Sequence, residues 1–405
     1  MSGLVTAAGR TQGRPVAPGW LALLAGPLSF GITGPALVLD DIAAALGTST
    51  ASTASVVTVF AWGIAVGSPL AGRALARHGG RTTLALSSAL VVTGALLVLA
   101  SAALPHLALL LAGCALQALG GVGLTVTALG LATGPTAMGT VAGTLAVFGA
   151  IAPLVGTQVV GTLGWRAALV LPLLALLAVP AAVRGAQPAV ASGPRDAVGV
   201  ALLVLTVSAL AVLTALPAVW AAVAAAVAVG SGLLLARHAR RHPDGVVPAS
   251  VPRSGRFLVA SAVAFGLAVV NFALVYAAPP LLATATGWNA DQLGTALLGP
   301  YLTGGLLALV LVPATARLRY RVVVLVLPAL VVTAAVLIAV GGSSVAVLFA
   351  AMLLGSVTAS TGQGALGLRA GDAVPVADRG PALSLFTLCY LLGAAFGPAI
   401  AVAVV

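Results

Sequence analysis

The sequence predicts an all-α integral membrane protein with two repeated helical halves. Three observations predict it: an extreme apolar composition, a train of segments long enough to cross a bilayer, and basic residues confined to one side. Of 405 residues, 61% are hydrophobic and only 6% are charged, and mean hydropathy is +1.19. Soluble domains are about 25% charged. A chain this apolar cannot wet its own surface and needs lipid around it.

Thirteen apolar segments follow one another, at 20–39, 53–72, 82–102, 107–131, 139–161, 167–183, 197–216, 218–235, 257–284, 293–314, 322–340, 345–366 and 383–405. Each approaches the ~20 residues that span a bilayer as helix. The stretch 197–235 is too long for one crossing, and "TALPAVW" at 214–220 breaks it into a hairpin. Arg10 and Arg14 precede segment 1 as in a signal peptide. That segment is longer than a signal peptide's apolar core, so a first transmembrane helix is expected.

All 18 basic residues are Arg and all 7 acids are Asp. With the N-terminus in the cytoplasm and the segments alternating, every Arg except Arg166 falls inside. That is the positive-inside pattern of a bacterial inner membrane protein. It also accounts for the net charge of +11, with no nucleic-acid partner. Cys114 and Cys389 lie in apolar runs and read as packing residues, with no disulfide, metal site or cofactor.

The halves repeat. "ARHGGR" at 76–81 returns as "ARLRYR" at 316–321, an offset of 240. "GAIAPLVG" at 149–156 resembles "GAAFGPAIA" at 393–401, at an offset near 244. Residues 1–183 form a six-helix half, 184–256 hold cytoplasmic linkers around the hairpin 197–235, and 257–405 form a second half of five helices. Parallel six-helix repeats are a known transporter plan.

The resemblance to a known family rests on four stretches. "GRALARHGGR" at 72–81 resembles the helix 2–3 signature of the major facilitator superfamily, matching at Gly72, Arg77, Gly79 and Arg81. "LALLLAGCALQALGG" at 107–121 resembles its helix 4 signature, with Gln117 in place. "APLVGT" at 152–157 resembles the antiporter signature of helix 5, with Pro153 and Gly156 in place, and "LGWR" at 163–166 closes that helix. The extra hairpin resembles the fourteen-helix drug:proton antiporter branch. By the repeat, a fourteenth helix is expected to begin near 410, and the C-terminus at Val405 is expected outside.

The resemblance implies a secondary transporter exporting a small apolar or amphiphilic molecule by alternating access, a monomer in the bilayer, with protons as possible co-substrate. It also implies gating by Gly149, Pro153 and Gly156. The chain departs from the pattern where the signature Asp is Ala76, the helix 4 Arg is Cys114, and the helix 1 Asp falls near Gly31. In the family these residues hold the outward-facing state and couple protons.

Polar side chains in lipid face the bundle interior or water. Gln117, Asn271, Tyr276, Tyr301 and Tyr390 are therefore the substrate-binding candidates, each able instead to make a plain interhelical hydrogen bond. Gln158 and Gln363 lie nearer segment ends and read as structural. No Asp falls well inside a segment. Asp40 and Asp41, at the outer end of segment 1, are the only candidates for proton coupling. Asp378, ahead of Asp372, could pair with Arg77 or Arg81 across the halves and lock the cytoplasmic side; the alternative is that both acids are solvated or pair locally with Arg369 and Arg379. Other readings stay open: a facilitator, a non-transporting sensor of the same fold, and, remotely, a membrane glycosyltransferase using Asp40 and Asp41. No soluble catalytic constellation is present, so no enzyme activity is expected.

Overall fold

The computed structural model describes residues 15–33, 38–186, 196–213, 216–341 and 344–404. Arg10, Arg14, Arg195, Thr214, Ala215 and Val405, all invoked above, lie outside the described residues. Every described element is helical, as lipid requires: with no water to bond it, the backbone must satisfy its own donors and acceptors.

The order is α1 (Pro18–Ala25), α2 (Leu28–Thr33), α3 (Leu39–Leu46), α4 (Thr50–Thr53), α5 (Ser55–Ala100), α6 (Leu107–Leu131), α7 (Pro135–Leu163), α8 (Trp165–Leu169), a 3₁₀ turn (Leu171–Ala178) and α9 (Val179–Gly185). Then come α10 (Ala197–Val212), α11 (Ala218–Arg241), α12 (Ser250–Arg253), α13 (Gly255–Thr286), α14 (Ala290–Thr315), α15 (Tyr320–Gly341), α16 (Val345–Asp372) and α17 (Arg379–Val404). Among the described residues, 9 helices are long and apolar enough to cross a membrane. Segments 2 and 3 share one of them, α5. Segments 1, 6 and 7 fall on shorter apolar helices.

Two boundaries differ from expectation. The described part of segment 1 reaches Thr33, and Leu39–Leu46 is a separate short helix preceded by Val38 in non-helical geometry. Asp40 and Asp41 therefore open α3, exposed, where carboxylates favour the helix N-terminus. They do not end a transmembrane helix. Segments 2 and 3 are separated within α5 only by Gly79, at φ 78° and ψ 170°. A side chain disfavours that conformation, which gives the signature glycine its physical role.

Glycine lets α5 and α6 touch backbone to backbone. A methyl group at Gly113 would lie 2.8 Å from the Gly94 carbonyl, and one at Gly120 would lie 2.5 Å from the Ser87 carbonyl. Such contacts drive helix association in lipid, where no hydrophobic effect acts between helices.

The arginines gather at one end. Arg369 of α16 donates to the carbonyls of Thr315 (2.6 Å) and Leu318 (3.2 Å), completing the open end of α14. Tyr320 bonds the Arg256 carbonyl beside them. At the opposite end Arg166 donates to Ser101 and stacks on Trp165, 4.2 Å from the ring.

Candidate functional site

Two seams join the helices before the hairpin to those after it, and both lie toward the arginine-rich end. In the first, α5 meets α17. Ser68 Oγ donates to the Ser384 carbonyl at 2.9 Å, and a side chain at Gly72 would collide with Ser384. In the second, α7 meets α14. A methyl group at Gly139 would lie 3.1 Å from Val312, and one at Gly143 would lie 2.8 Å from the Gly305 carbonyl. Toward the other end the picture changes: positions Gly161 of α7 and Gly294 and Gly299 of α14 have nothing within 4 Å.

The seams are related by the sequence repeat. An offset of 240 carries Gly72 onto Val312, and 244 carries Thr140 onto Ser384. Gly72 faces Ser384, and Gly139, next to Thr140, faces Val312. The register holds to within one residue.

Between the seams α6, α7, α16 and α17 leave a gap of about 10 Å³, roughly the room one water needs. Leu129, Met138, Leu383 and Phe386 close it, with Gln363 and Thr387 as its polar members. Gln363 thus sits at the junction, where its place near a segment end had suggested a structural role. Its neighbours Gly364 and Gly367 identify it in retrospect, since they let α16 approach Val312 and Phe386. A larger groove of about 270 Å³ is lined by α14 and α16 alone, at Gly299, Pro300, Thr303, Phe349, Ala350 and Leu353.

The binding candidates do not converge on one chamber. Gln117 is fully buried, but it packs on Gly94 of the same half. Both its amide atoms lack a partner among the described residues. Tyr276 is half exposed and lies about half a turn around α13 from Leu267, which meets α16 at Gly362. Tyr390 is buried in the cluster that joins Val66 of α5 to Phe386 of α17. Asn271 and Tyr301 approach neighbouring residues of α16, Asn271 by its side chain and Tyr301 by its backbone carbonyl, while the Tyr301 ring packs by Leu348 and Met352. Asn271 Oδ1 would lie 3.6 Å from a methyl group at Gly355, and Ser356 Oγ donates to the Tyr301 carbonyl at 3.4 Å. Asn271 Oδ1 and Tyr301 Oη are buried without a partner among the described residues.

Of the gating candidates, Gly149 faces Ser29 at 4.0 Å, and Gly156 is buried farther along α7, next to the span holding Pro153. Arg77 and Arg81 form no ion pair among the described residues. The expected cross-half lock is absent. Asp372 pairs with Arg379 at 3.2 Å, and Asp378 Oδ2 accepts from Ser250 Oγ at 2.6 Å. The local partners are nearer, and Ser250 belongs to a loop whose placement the sequence did not reveal.

A family model of the major facilitator superfamily matches residues 19–237, more than half of the chain. The chain belongs to the major facilitator superfamily. The crystal structure of the human organic anion transporter MFSD10 (TETRAN) superposes with a TM-score of 0.65 at 18% identity, covering 96% of this chain and 92% of that one. That likeness is one of fold. No curated protein matches the chain by sequence. As a superfamily member it is a multi-pass secondary membrane transporter of small molecules, and members of the family are transporters rather than enzymes.

Proposed function

We propose that the protein exports small apolar or amphiphilic molecules, neutral or anionic, by alternating access across a bacterial inner membrane. The observation that carries this is the pair of repeat-related seams at one end only. Positive-inside topology makes the arginine-rich end cytoplasmic, with the N-terminus inside and α17 ending outside. The described conformation is then closed to the cytoplasm. Residues 1–183 and 257–405 act as the moving halves, and 184–256 as the connecting hairpin and linkers.

Substrate charge follows from what the membrane core lacks. A lipophilic cation needs an embedded counter-ion. All 7 acids are Asp40, Asp41, Asp196, Asp244, Asp291, Asp372 and Asp378, and each lies at a helix end or in a loop. The fold neighbour is named as an organic anion transporter, which accords with this preference. Asn271 and Tyr301 would contact the substrate, offering it the bonds they do not make within the protein.

The same lack favours a second reading, facilitated transport without proton antiport. Proteoliposomes loaded with a fluorescent organic anion or with ethidium test both. Faster efflux of the anion is expected, with no proton movement if the facilitator reading holds. Preferential ethidium export would overturn the charge assignment.

A further inference from the structure

The loop from His242 to Arg253 ties both halves to the inserted hairpin. At its centre is Asp196, the N-cap of α10. Its carboxylate accepts the backbone N–H of Gly199 (2.8 Å) and of Val246 (2.8 Å), and contacts Nε2 of His238 near the end of α11 (2.7 Å). His242 stacks on His238 with ring centroids 4.2 Å apart. One carboxylate therefore holds the start of α10, the end of α11 and the loop together. Gly199 and Gly245 leave it room, since a side chain at either would meet it.

From this anchored loop two bonds reach out. Arg73 of α5 donates to the Gly245 carbonyl at 3.1 Å. Five residues on, Ser250 donates to Asp378 at the start of α17. Val246 and Val251 are buried between these bonds, in a cluster with Ala65 and Val66 of α5 and Leu385 and Phe386 of α17. Farther into the membrane, Trp62 of α5 donates to Ser208 of α10 at 2.8 Å. The helices the loop reaches, α5 and α17, are the two that meet at Ser68 and Ser384.

We infer that the hairpin and its loop form a clasp over the α5–α17 seam, and that Asp196 is the positioning residue that keeps the clasp in place. The inference rests on the alternating-access reading. For the cytoplasmic end to open, α5 must leave α17. A loop bonded to both must then release Arg73 or Asp378. Asp196 holds the loop at Val246 and ties it to α10 and α11 through Gly199 and His238, so the loop cannot follow one helix freely and the clasp biases the protein toward the closed state.

The test uses the full chain in nanodiscs, with spin labels at Ala76→Cys and Ala377→Cys on a Cys389→Ser background. Asp196→Ala is expected to raise the ratio of open to closed seam by about threefold or more. Ser250→Ala should act in the same direction without touching the hairpin, and serves if Asp196→Ala does not fold. The double variant should do no more than the larger single effect, because both act through one loop. A change in thermal stability with an unmoved ratio would make Asp196 merely structural and overturn the clasp. Transport by the parent with a seam unmoved by either variant also overturns it and leaves the transport reading standing. A seam that opens on clasp removal in a protein that moves no substrate supports the clasp and sinks the transport reading.

Discussion

Ser68 of α5 gives its hydroxyl to the backbone carbonyl of Ser384 of α17, at 2.9 Å and fully out of solvent. The bond crosses between the halves, so it exists only while the arginine-rich end is shut. Gly72, one turn along, brings the helices this close. Gly72→Leu would force a branched side chain against Ser384, and overpacking costs about 1–3 kcal/mol. Because the closed state alone bears that strain, the seam should open by roughly 5- to 150-fold. Distance probes at the seam check this. A population that stays closed means the helices can slide to accept the side chain.

The repeat makes a matching demand on the second seam. A methyl group at Gly143 would lie 2.8 Å from the Gly305 carbonyl, backbone that cannot swing aside. Gly143→Leu should therefore open the same end by a comparable factor. The change at Gly161, which has open space around it, should shift the ratio less than about twofold. Equal effects at the two sites would deny the seam its special place.

Asn271 and Tyr301 separate binding from stability. An unpartnered buried amide destabilises a fold by about 1–3 kcal/mol. Asn271→Leu removes that penalty at similar volume, so thermal stability should hold or rise. If the amide meets substrate, efflux should fall by about tenfold, equivalent to one charge-neutral hydrogen bond of roughly 1.4 kcal/mol. Tyr301→Phe should lower efflux by a smaller factor. Unchanged efflux from both variants would leave these groups as packing residues.

The seam's register was legible in the sequence and its partners' orientations were not, for one physical reason. The offset of 240 came from Arg-bearing motifs between helices, and that of 244 from a Gly- and Pro-bearing stretch within α7 and α17. Those motifs mapped Gly72 and Ser384 onto Val312 and Thr140 to within a residue. Inside the membrane the helices are apolar all round, so periodicity no longer tells which way a side chain points. Gln117 accordingly turned out to face Gly94 within its own half, and Gln363 to sit between the halves. The partner of Asp378 was not legible either: Ser250 lies 128 residues away in sequence, in the loop that follows the hairpin.

Asp40 and Asp41 are exposed in the first turn of α3, away from both seams. Neutralising them should remove a helix-terminus contribution of about 0.3–1 kcal/mol each. Efflux by Asp40→Asn and Asp41→Asn should stay within about twofold of the parent. A tenfold loss, or loss of proton movement that the parent shows, would return these residues to a coupling role.

The last expectation concerns pH. Burial of Asp196 pushes its pKa up, but the N–H groups of Val246 and Gly199 and the neighbouring His238 outweigh burial and hold it below the ordinary value. A depressed carboxylate stabilises the fold fully above its unfolded value, about 3.9. That contribution is lost as pH falls through the lower, folded pKa. The clasp should therefore hold from neutral pH down to about pH 4 as far as Asp196 is concerned, and loosen below it. The groups around it are His238 and His242 of the hairpin end, Asp244 of the loop and Arg73 of α5. Seam-probe ratios measured from pH 7 to pH 3 should rise steeply at the acid end in the parent. In Asp196→Asn, where no carboxylate remains to titrate, the ratio should already be raised and should lack that step. His238→Gln leaves the Asp196 carboxylate in place and should keep that step. An identical acid step in Asp196→Asn would assign the transition to another carboxylate, Asp378 first among them.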